Sequence, residues 1–276
     1  MMRIDAHQHF WNYDPYEHNW MTDEMHSIKK NFLPEGLNPL LQQFGISGTF
    51  LVQVSQSYVE TGKLLTIAEN NDFVKGVVGW VDLLDKNIHD VLDHYKKYAR
   101  LKGFRHILQT EEPDFMLQKK FLNGISALKG YDFTYDILIY PKHLESAVRM
   151  VEKFPEQRFV VDHIAKPDIK NKKLTDWRNG IQLLASFPNV YCKISGMVTE
   201  ADWHDWEKED FIIYLDEVIN SFGIGRVMFG SDWPMCLVAA SYGEVLNIVS
   251  EYFASFSQEE QELFFSRNAM HFYGLQ

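Results

Sequence analysis

Short apolar runs recur along the chain at intervals that suit strands separated by helices. They cover residues 3–8, 48–54, 74–81, 102–107, 133–140, 158–164, 189–195 and 226–231. Two of them, TFLVQV at 49–54 and RFVVDH at 158–163, are especially rich in β-branched and aromatic residues, which favour strands. The pattern therefore predicts eight strands.

Between several of these runs, apolar residues recur at helical spacing. Residues 144–154 and 211–222 carry this periodicity, and Ser257 with Glu260 forms a capping-box pattern before a C-terminal helix. Strands that alternate with helices form parallel β–α units, so eight of them predict a (β/α)8 TIM barrel as a single domain over residues 1–276. An open doubly wound sheet is the structural alternative, but no glycine-rich dinucleotide loop follows the first run.

The connection over about residues 10–47 is long and rich in aromatic residues, among them Trp11, Trp20 and Phe32. Insertions after barrel strands lie at the C-terminal face of the barrel, where active sites are built. Two interpretations are open: the segment covers a pocket, or it packs on the barrel rim.

Composition narrows the class of protein. The net charge of −11 opposes nonspecific attraction to nucleic acid or to an anionic membrane. Two cysteines, Cys192 and Cys236, exclude a disulfide framework and a four-cysteine zinc site, and their apolar surroundings predict buried, unreactive thiols. No run approaches the roughly 20 apolar residues of a membrane span or resembles a signal peptide. We therefore expect a cytoplasmic enzyme with a small-molecule substrate; the sequence does not indicate its oligomeric state.

Residues that suit metal binding or hydrolysis lie where the first and last runs end. His7 and His9 are two residues apart, so they share one face of a strand, and Asp5 is expected on that face as a supporting carboxylate. Asp232 follows the eighth run, which barrel closure places beside the first. Two imidazoles and a carboxylate suit either a divalent metal or a centre in which Asp232 takes a proton from water. The structural alternatives are a chance H-x-H and a helix-capping aspartate.

His163 ends the sixth run, and we expect its imidazole at the barrel mouth. Strand alternation then places Asp162 on the opposite face. The alternative is a histidine bonded to the backbone at the strand end. Lys166 and Pro167 are interpreted as a loop turn without a chemical role.

Cationic and aromatic residues supply candidates for substrate binding. In the fourth run, alternation lets only one of Arg105 and His106 face the pocket, and a structural salt bridge is the alternative for Arg105. Lys193 lies in an apolar run and is expected to face the pocket, because a lysine packed against helices is costly. Three tryptophans are candidates for a sugar-binding surface, with rim packing as the alternative: Trp11, Trp80 and Trp233.

Five motifs together resemble the amidohydrolase superfamily, and within its amidohydrolase 2 branch the L-fuconolactonase-like sugar lactonases. They are IDAHQHFW at 4–11, GFRHILQ at 103–109, VDHIAKP at 161–167, CKISGMVTEADW at 192–203 and FGSDWP at 229–234. The resemblance covers almost the whole chain. It implies a (β/α)8 barrel that hydrolyses an aldonolactone to the open acid, with Asp232 as the proton acceptor for the attacking water.

The resemblance leaves the need for a metal open. Binuclear members of the superfamily use a bridging lysine or glutamate from strand four and a histidine from strand five. Here strand four offers Arg105 and His106, and the run at 133–140 contains no histidine. The resemblance thus implies at most one divalent ion, zinc by preference, held by His7, His9, His163 and Asp232. The alternative is a metal-independent site in which cationic side chains polarise the carbonyl.

We expect a hydrolase that opens a sugar lactone such as L-fuconolactone or L-rhamnonolactone. The catalytic candidates are Asp232, His163 and His106, and the substrate-binding candidates are Arg105, Lys193 and the three tryptophans. Two other functions stay open: metal-dependent decarboxylation of an aromatic or related carboxylic acid, and a non-catalytic barrel that binds a sugar acid.

Overall fold

The strands form one barrel in chain order. The computed structural model describes residues 2–275, and its eight parallel strands follow one another around a single sheet. They are β1 Ile4–Gln8, β2 Gly48–Val52, β3 Val74–Gly79, β4 Leu101–His106, β5 Thr134–Ile137, β6 Phe159–Val161, β7 Val190–Ile194 and β8 Val227–Phe229. Each predicted strand is present, so the predicted (β/α)8 barrel is confirmed. Most of the strands end before the predicted apolar runs do.

Helices alternate with the strands and cover the outside of the barrel. They are α1 Pro34–Phe44, α2 Tyr58–Asn70, α3 Ile88–Tyr95, α4 Lys119–Leu128, α5 Leu144–Val151, α6 Thr175–Ala185, α7 Glu209–Phe222 and α8 Tyr242–Tyr252, followed by α9 Gln258–Glu262 and α10 Asn268–Phe272. The helices expected from periodicity at 144–154 and 211–222 are α5 and α7. The predicted capping box at Ser257 is also confirmed, since its side chain accepts from Glu260 N at 3.3 Å and Glu260 Oε2 accepts from Ser257 N at 2.8 Å.

A separate apolar cluster fills the lower, N-terminal end of the barrel interior. Its members come from strands and from the C-terminal segment: Ile4, Ala6, Phe50, Val52, Val78, Val160, Met228, Ala269, Phe272 and Tyr273. Phe272 packs on Tyr191 with ring centroids 5.0 Å apart, and Tyr273 packs on Phe50 at 4.2 Å. The C-terminal segment thus closes this end, and the polar interior residues lie above it.

The first and last strands meet through backbone hydrogen bonds beyond the end of β8. Asp232 N donates to His7 O at 2.9 Å, and His9 N donates to Trp233 O at 2.7 Å. Gly230 makes this approach feasible, because a Cβ built there would lie 2.7 Å from His7 Cβ. Closure therefore places His7 and His9 beside Asp232, although more than 220 residues separate them in the chain.

The aromatic connection after β1 lies at the upper end of the barrel. It contains a 3₁₀ segment, Asp23–Ile28, and a backbone bridge between Trp11 and Phe32. Helix α1 begins at Pro34, so the connection ahead of the first helix is shorter than the predicted 10–47. Among the helices within residues 2–275, none has the length and apolarity to cross a bilayer.

Candidate active site

Three imidazoles surround one carboxylate oxygen at the upper end of the barrel. The Nε2 atom of His9 lies 3.3 Å from Asp232 Oδ1, and those of His7 and His163 each lie 3.8 Å from it. His7 Nε2 and His9 Nε2 are 3.2 Å apart. All four side chains are at most 5% exposed. We call His7, His9, His163 and Asp232 the histidine–aspartate cluster; the sequence predicted all four members.

The other ring nitrogen of each histidine has its own partner. His9 Nδ1 lies 2.8 Å from Val52 O, and His163 Nδ1 lies 2.8 Å from Ser195 Oγ. His7 Nδ1 lies 3.4 Å from Asp162 Oδ1. A carbonyl accepts only from a protonated nitrogen, so the Nε2 of a neutral His9 carries a lone pair directed at the cluster.

The donor set of the cluster fits a divalent cation. Asp232 Oδ1 is buried and has no hydrogen-bond donor among residues 2–275, which is costly unless something else neutralises it. Zinc bonds of about 2.0–2.1 Å in a tetrahedron place ligand atoms about 3.3 Å apart. The separations between His7, His9 and Asp232 match or slightly exceed that value. Imidazole and carboxylate ligands are the types that zinc takes in catalytic sites.

The electrostatics favour neutral imidazoles at His7 and His163 and an ionised carboxylate at Asp232. Burial lowers the pKa of His163 to about 4, although the charge of Asp232 opposes this shift. Burial also lowers the pKa of His7 well below its ordinary value, and Lys193 adds to this. Burial alone would raise the pKa of Asp232, but His163, His9 and His7 together hold it below its usual range. Neutral imidazoles and an ionised carboxylate are the forms that bind metals and accept protons.

A left-handed turn follows β6 and orients His163. Residues 163–166 all have positive φ, with His163 at 53° and Lys166 at 49°. The expected separation of Asp162 and His163 onto opposite faces is wrong, because the strand ends at Val161 and its alternation stops there. Both side chains point inward. Trp177 Nε1 supports the turn by donating to Ile164 O at 2.7 Å.

Beneath the cluster, two cations and two carboxylates form a buried network. Asp162 Oδ2 accepts from Arg105 Nη1 at 2.9 Å, and Asp162 Oδ1 forms an ion pair with Lys193 Nζ at 3.0 Å. Lys193 also lies 2.5 Å from Asp136 Oδ2, which accepts from Tyr273 Oη at 2.7 Å. Burial alone would raise the pKa of Asp162, but Lys193, His7 and Arg105 lower it well below its ordinary value.

Arg105 reaches the pocket, whereas Lys193 does not. Arg105 Nη1 lies 3.2 Å from His7 Nε2, and Arg105 lines the cavity above the cluster. Lys193 faces the barrel interior as expected, but it is fully buried below His7, with Nζ 3.2 Å from Nδ1 of that ring. Its location favours orientation of His7 over the predicted contact with substrate.

His106 lies on the helix side of β4, and Arg105 lies on the inward side. The two adjacent residues thus face opposite sides of the strand, as strand alternation predicted. The His106 ring stacks on Phe115 at 5.1 Å, and Nε2 lies 3.4 Å from Glu111 Oε1. Trp80 Nε1 donates to His106 Nδ1 at 3.4 Å, outside the cavity. These positions support a structural role for His106 and Trp80, against the predicted catalytic and sugar-binding roles.

Asp5 also faces away from the barrel interior. Its carboxylate accepts from Ser231 N at 2.8 Å and from the hydroxyl of Tyr242 on α8 at 3.1 Å. The expectation that it shares the inward face of His7 is wrong, because the register of β1 is irregular between Asp5 and Gln8. Asp5 instead joins β1 to the segment after β8.

A cavity of about 370 Å³ opens above the cluster, a size that suits a small ligand. Of the three predicted tryptophans, only Trp11 lines it; Trp233 is buried against Phe10 and Phe32. Sequence reasoning missed several lining residues: Trp20, Gln56, Gln109, Tyr140, Lys166, Glu200 and Trp203. Trp20 lies in the aromatic connection after β1, and Trp203 is the last residue of the motif at 192–203. Their positions in the sequence could therefore have identified both as cavity residues.

The cysteines lie outside this chemistry. Cys192 and Cys236 are buried and not disulfide-bonded, and burial raises the pKa of both thiols. The prediction of buried thiols is confirmed, and the raised pKa values disfavour the reactive thiolate form.

Comparison with known proteins decides the family. The amidohydrolase family model matches residues 4–275. The chain belongs to the amidohydrolase family. This amidohydrolase is 34% identical over 262 residues to a Burkholderia multivorans protein named L-fucono-1,5-lactonase, covering 91% of this chain and 88% of that one. It is 22% identical over 163 residues to a Scheffersomyces stipitis protein named L-rhamnono-gamma-lactonase, covering 52% and 48% of the two chains.

Solved structures agree with the barrel fold. An amidohydrolase from Burkholderia multivorans with bound zinc superposes on the whole chain with a TM-score of 0.97 at 33% identity, and all of both chains is covered. A 2,6-dihydroxybenzoate decarboxylase superposes at 0.71 with 11% identity, a likeness that shows the fold alone. The predicted resemblance to sugar-lactonase-like amidohydrolases is confirmed.

Proposed function

We propose that this amidohydrolase hydrolyses a sugar lactone to the open sugar acid. The observation that carries the proposal is the Asp232 carboxylate, surrounded by three imidazoles at the floor of a small cavity with aromatic walls. The named lactonase relatives support the same reaction. Ester opening by water needs a proton acceptor and stabilisation of a developing oxyanion, and this floor offers both.

The proposed substrate class is an aldonolactone. Trp11, Trp20 and Trp203 offer apolar ring faces to the C–H surfaces of a sugar ring, while Gln56 and Gln109 offer amides to its hydroxyls. L-Fucono-1,5-lactone and L-rhamnono-gamma-lactone, from the names of the relatives, are the first compounds to assay.

Asp232 is the proposed general base. Water attacks the lactone carbonyl carbon and passes a proton to the Asp232 carboxylate. The bond between the carbonyl carbon and the ring oxygen then breaks, and that oxygen takes up the proton as a hydroxyl. Arg105, with its guanidinium at the cavity wall, is placed to donate to the carbonyl oxygen.

His7, His9, His163 and Asp232 are the proposed ligands of one divalent ion, zinc by preference. When bound, such an ion polarises the carbonyl and acidifies water. Arg105 competes for the same histidine, since its Nη1 lies 3.2 Å from His7 Nε2. A metal-independent site with Arg105 as the electrophile is therefore the second arrangement that these residues allow.

A lactone-panel assay on metal-analysed protein tests the function. We expect acid release from at least one aldonolactone, measured with a pH indicator, and a loss of kcat of about 10³-fold or more in Asp232→Asn. Circular dichroism should show the variant folded. Full turnover by folded Asp232→Asn would overturn the general-base assignment. Carbon dioxide release from hydroxybenzoates would indicate a decarboxylase, and sugar-acid binding without turnover a binding protein.

Metal dependence has its own readout. After a chelator has removed any bound metal, the protein should bind one equivalent of zinc per chain, measured by elemental mass spectrometry. Its melting temperature should rise with the zinc concentration. His9→Ala should remove both effects. Full activity in zinc-free protein would assign polarisation of the lactone carbonyl to Arg105 instead of to a metal.

A further inference from the structure

An ion pair that the proposed hydrolytic steps leave unused lies on the cavity wall. Lys166 Nζ lies 2.9 Å from Glu200 Oε1, and the two side chains are only 14% and 17% exposed. Both residues line the cavity together with Asp232 and His163. The pair therefore lies within reach of any ligand held over the histidine–aspartate cluster.

Lys166 and Glu200 have more hydrogen-bond donors and acceptor sites than their contact with each other uses. An ammonium group has three N–H donors, and Glu200 takes one of those of Lys166. A carboxylate has two oxygens and about four acceptor sites, and the Lys166 contact is made to Oε1. The ammonium lies 5.4 Å from the ring centroid of Tyr140, which supports a charged form. A donor and an acceptor thus lie side by side at the wall.

Local backbone geometry holds the pair beside the reacting groups. Lys166 is the last residue of the left-handed turn that begins at His163, so its position is tied to that of a cluster member. Glu200 is held from the neighbouring loop, where its carbonyl oxygen accepts from Lys170 N at 3.0 Å. Four consecutive residues with positive φ cost conformational energy, and the turn delivers both His163 and Lys166 to one cavity.

We propose that Lys166 and Glu200 recognise two adjacent hydroxyl groups of the lactone ring and so make the site selective for sugar lactones over unsubstituted lactones. One hydroxyl accepts from the Lys166 ammonium, and its neighbour donates to the Glu200 carboxylate. The assignment rests on the proposed lactonase function. The pair is specificity-determining, because a ring without these hydroxyls displaces water from the two charged groups and offers no hydrogen bonds in return.

The competing explanation is that the Lys166–Glu200 ion pair is a structural latch, which joins two loops without contacting the substrate. The chain contains a matched control for this explanation. Lys170 and Asp202 form an ion pair of 3.0 Å between the same two loops. Their side chains are 59% and 39% exposed, and neither lines the cavity. Lys170→Met removes a latch without changing the cavity wall.

The test compares Lys166→Met, Glu200→Gln and Lys170→Met on a sugar lactone and on δ-valerolactone, which has no ring hydroxyls. For the first two variants we expect kcat/KM on the sugar lactone to fall by roughly 10- to 100-fold, with kcat/KM on δ-valerolactone changed less than about twofold. Lys170→Met should match the wild type on both. Glu200→Gln keeps an acceptor for Lys166 and serves if Lys166→Met does not fold.

Equal losses on both lactones, or losses reproduced by Lys170→Met, would overturn the assignment in favour of a latch. If the wild type opens no lactone at all, the proposed function fails instead, and calorimetry with the open sugar acid L-fuconate then tests the pair directly. Weaker binding by Lys166→Met and Glu200→Gln, but not by Lys170→Met, supports hydroxyl recognition. Binding equal to the wild type in all three variants refutes it.

Discussion

Lys193 shows how much of the site depends on one buried side chain. Its ammonium lies within 3.2 Å of Asp136, Asp162 and His7. Two carboxylates inside a barrel are tolerable only while cations face them. The same contacts direct the His7 ring, so Lys193 links the stability of the barrel to the geometry of the cluster.

Lys193→Met should lower the free energy of unfolding by about 3–5 kcal/mol, because it leaves Asp136 and Asp162 buried with one cation fewer. Urea unfolding followed by circular dichroism measures the change. Lys129→Met is the control, since its ion pair with Glu156 is exposed and such pairs contribute little. Equal effects of the two substitutions would contradict this view of the network.

Gly196 supports His163 from the next strand end. Its φ is +60°, and a Cβ there would lie 2.6 Å from His163 Nδ1. Gly196→Ala should therefore lower stability by about 1–3 kcal/mol and reduce kcat by displacing the ring. Gly62→Ala, at an open position on α2, should preserve kcat and raise stability slightly. Thermal melting and lactone turnover of both variants check the prediction.

At the scale of elements, the ends of the strands decide which side chains face the cavity. An irregular register in β1 turns Asp5 outward and His7 inward, and β6 gives way to a left-handed turn. The loop after β2 is tied to α2 by Glu60, whose carboxylate accepts from Ser55 N at 2.8 Å and Val54 N at 3.1 Å. Burial raises the pKa of Glu60 from 4.5 to about 7.

Glu60 should make stability depend on pH. Because its pKa is higher in the folded than in the unfolded protein, the folded state binds more protons between pH 4.5 and 7. The contribution of Glu60 is thus largest below pH 4.5, falls by up to about 3 kcal/mol as the pH rises to 7, and is constant above that. Glu60→Gln lacks this contribution. Urea unfolding of both proteins at pH 4.5, 6 and 7.5 should show that the free energy of unfolding of the wild type falls relative to that of the variant as the pH rises. A difference that stays constant with pH would refute the prediction.

At the scale of the whole molecule, the barrel is closed at its lower end by its own C-terminus. Phe272 and Tyr273 fill the interior beneath the polar network, and the Tyr273 hydroxyl bonds Asp136. Apolar side chains therefore pack beneath the buried charges, and the cavity lies at the opposite, upper end of the barrel.

Phe272→Ala should lower the free energy of unfolding by about 3–5 kcal/mol, since it removes a buried ring from the cluster that closes the barrel. Met270→Ala, at a partly buried neighbouring position, should cost less. Urea unfolding of the two variants measures the difference. Equal costs would mean that the C-terminal segment lies on the barrel without sealing it.

The sequence alone determined the barrel and the four members of the histidine–aspartate cluster. Eight apolar runs with helical segments between them specify β–α units, because burial periodicity is a local property of the chain. His7, His9, His163 and Asp232 were recognisable because each lies at the end of a predicted strand or just beyond it. Alternation along β4 predicted that only one of Arg105 and His106 faces the cavity, and the structure identifies it as Arg105.

The tertiary structure alone decided how deep each side chain lies and which polar groups share a cavity. Lys193 was predicted at the cavity wall and lies beneath His7, because depth along the barrel depends on the stagger of neighbouring strands. Lys166 and Glu200 meet across two loops, a contact that no local pattern encodes. The left-handed turn at 163–166 contains no glycine, so no residue type indicated that Asp162 would face inward beside His163.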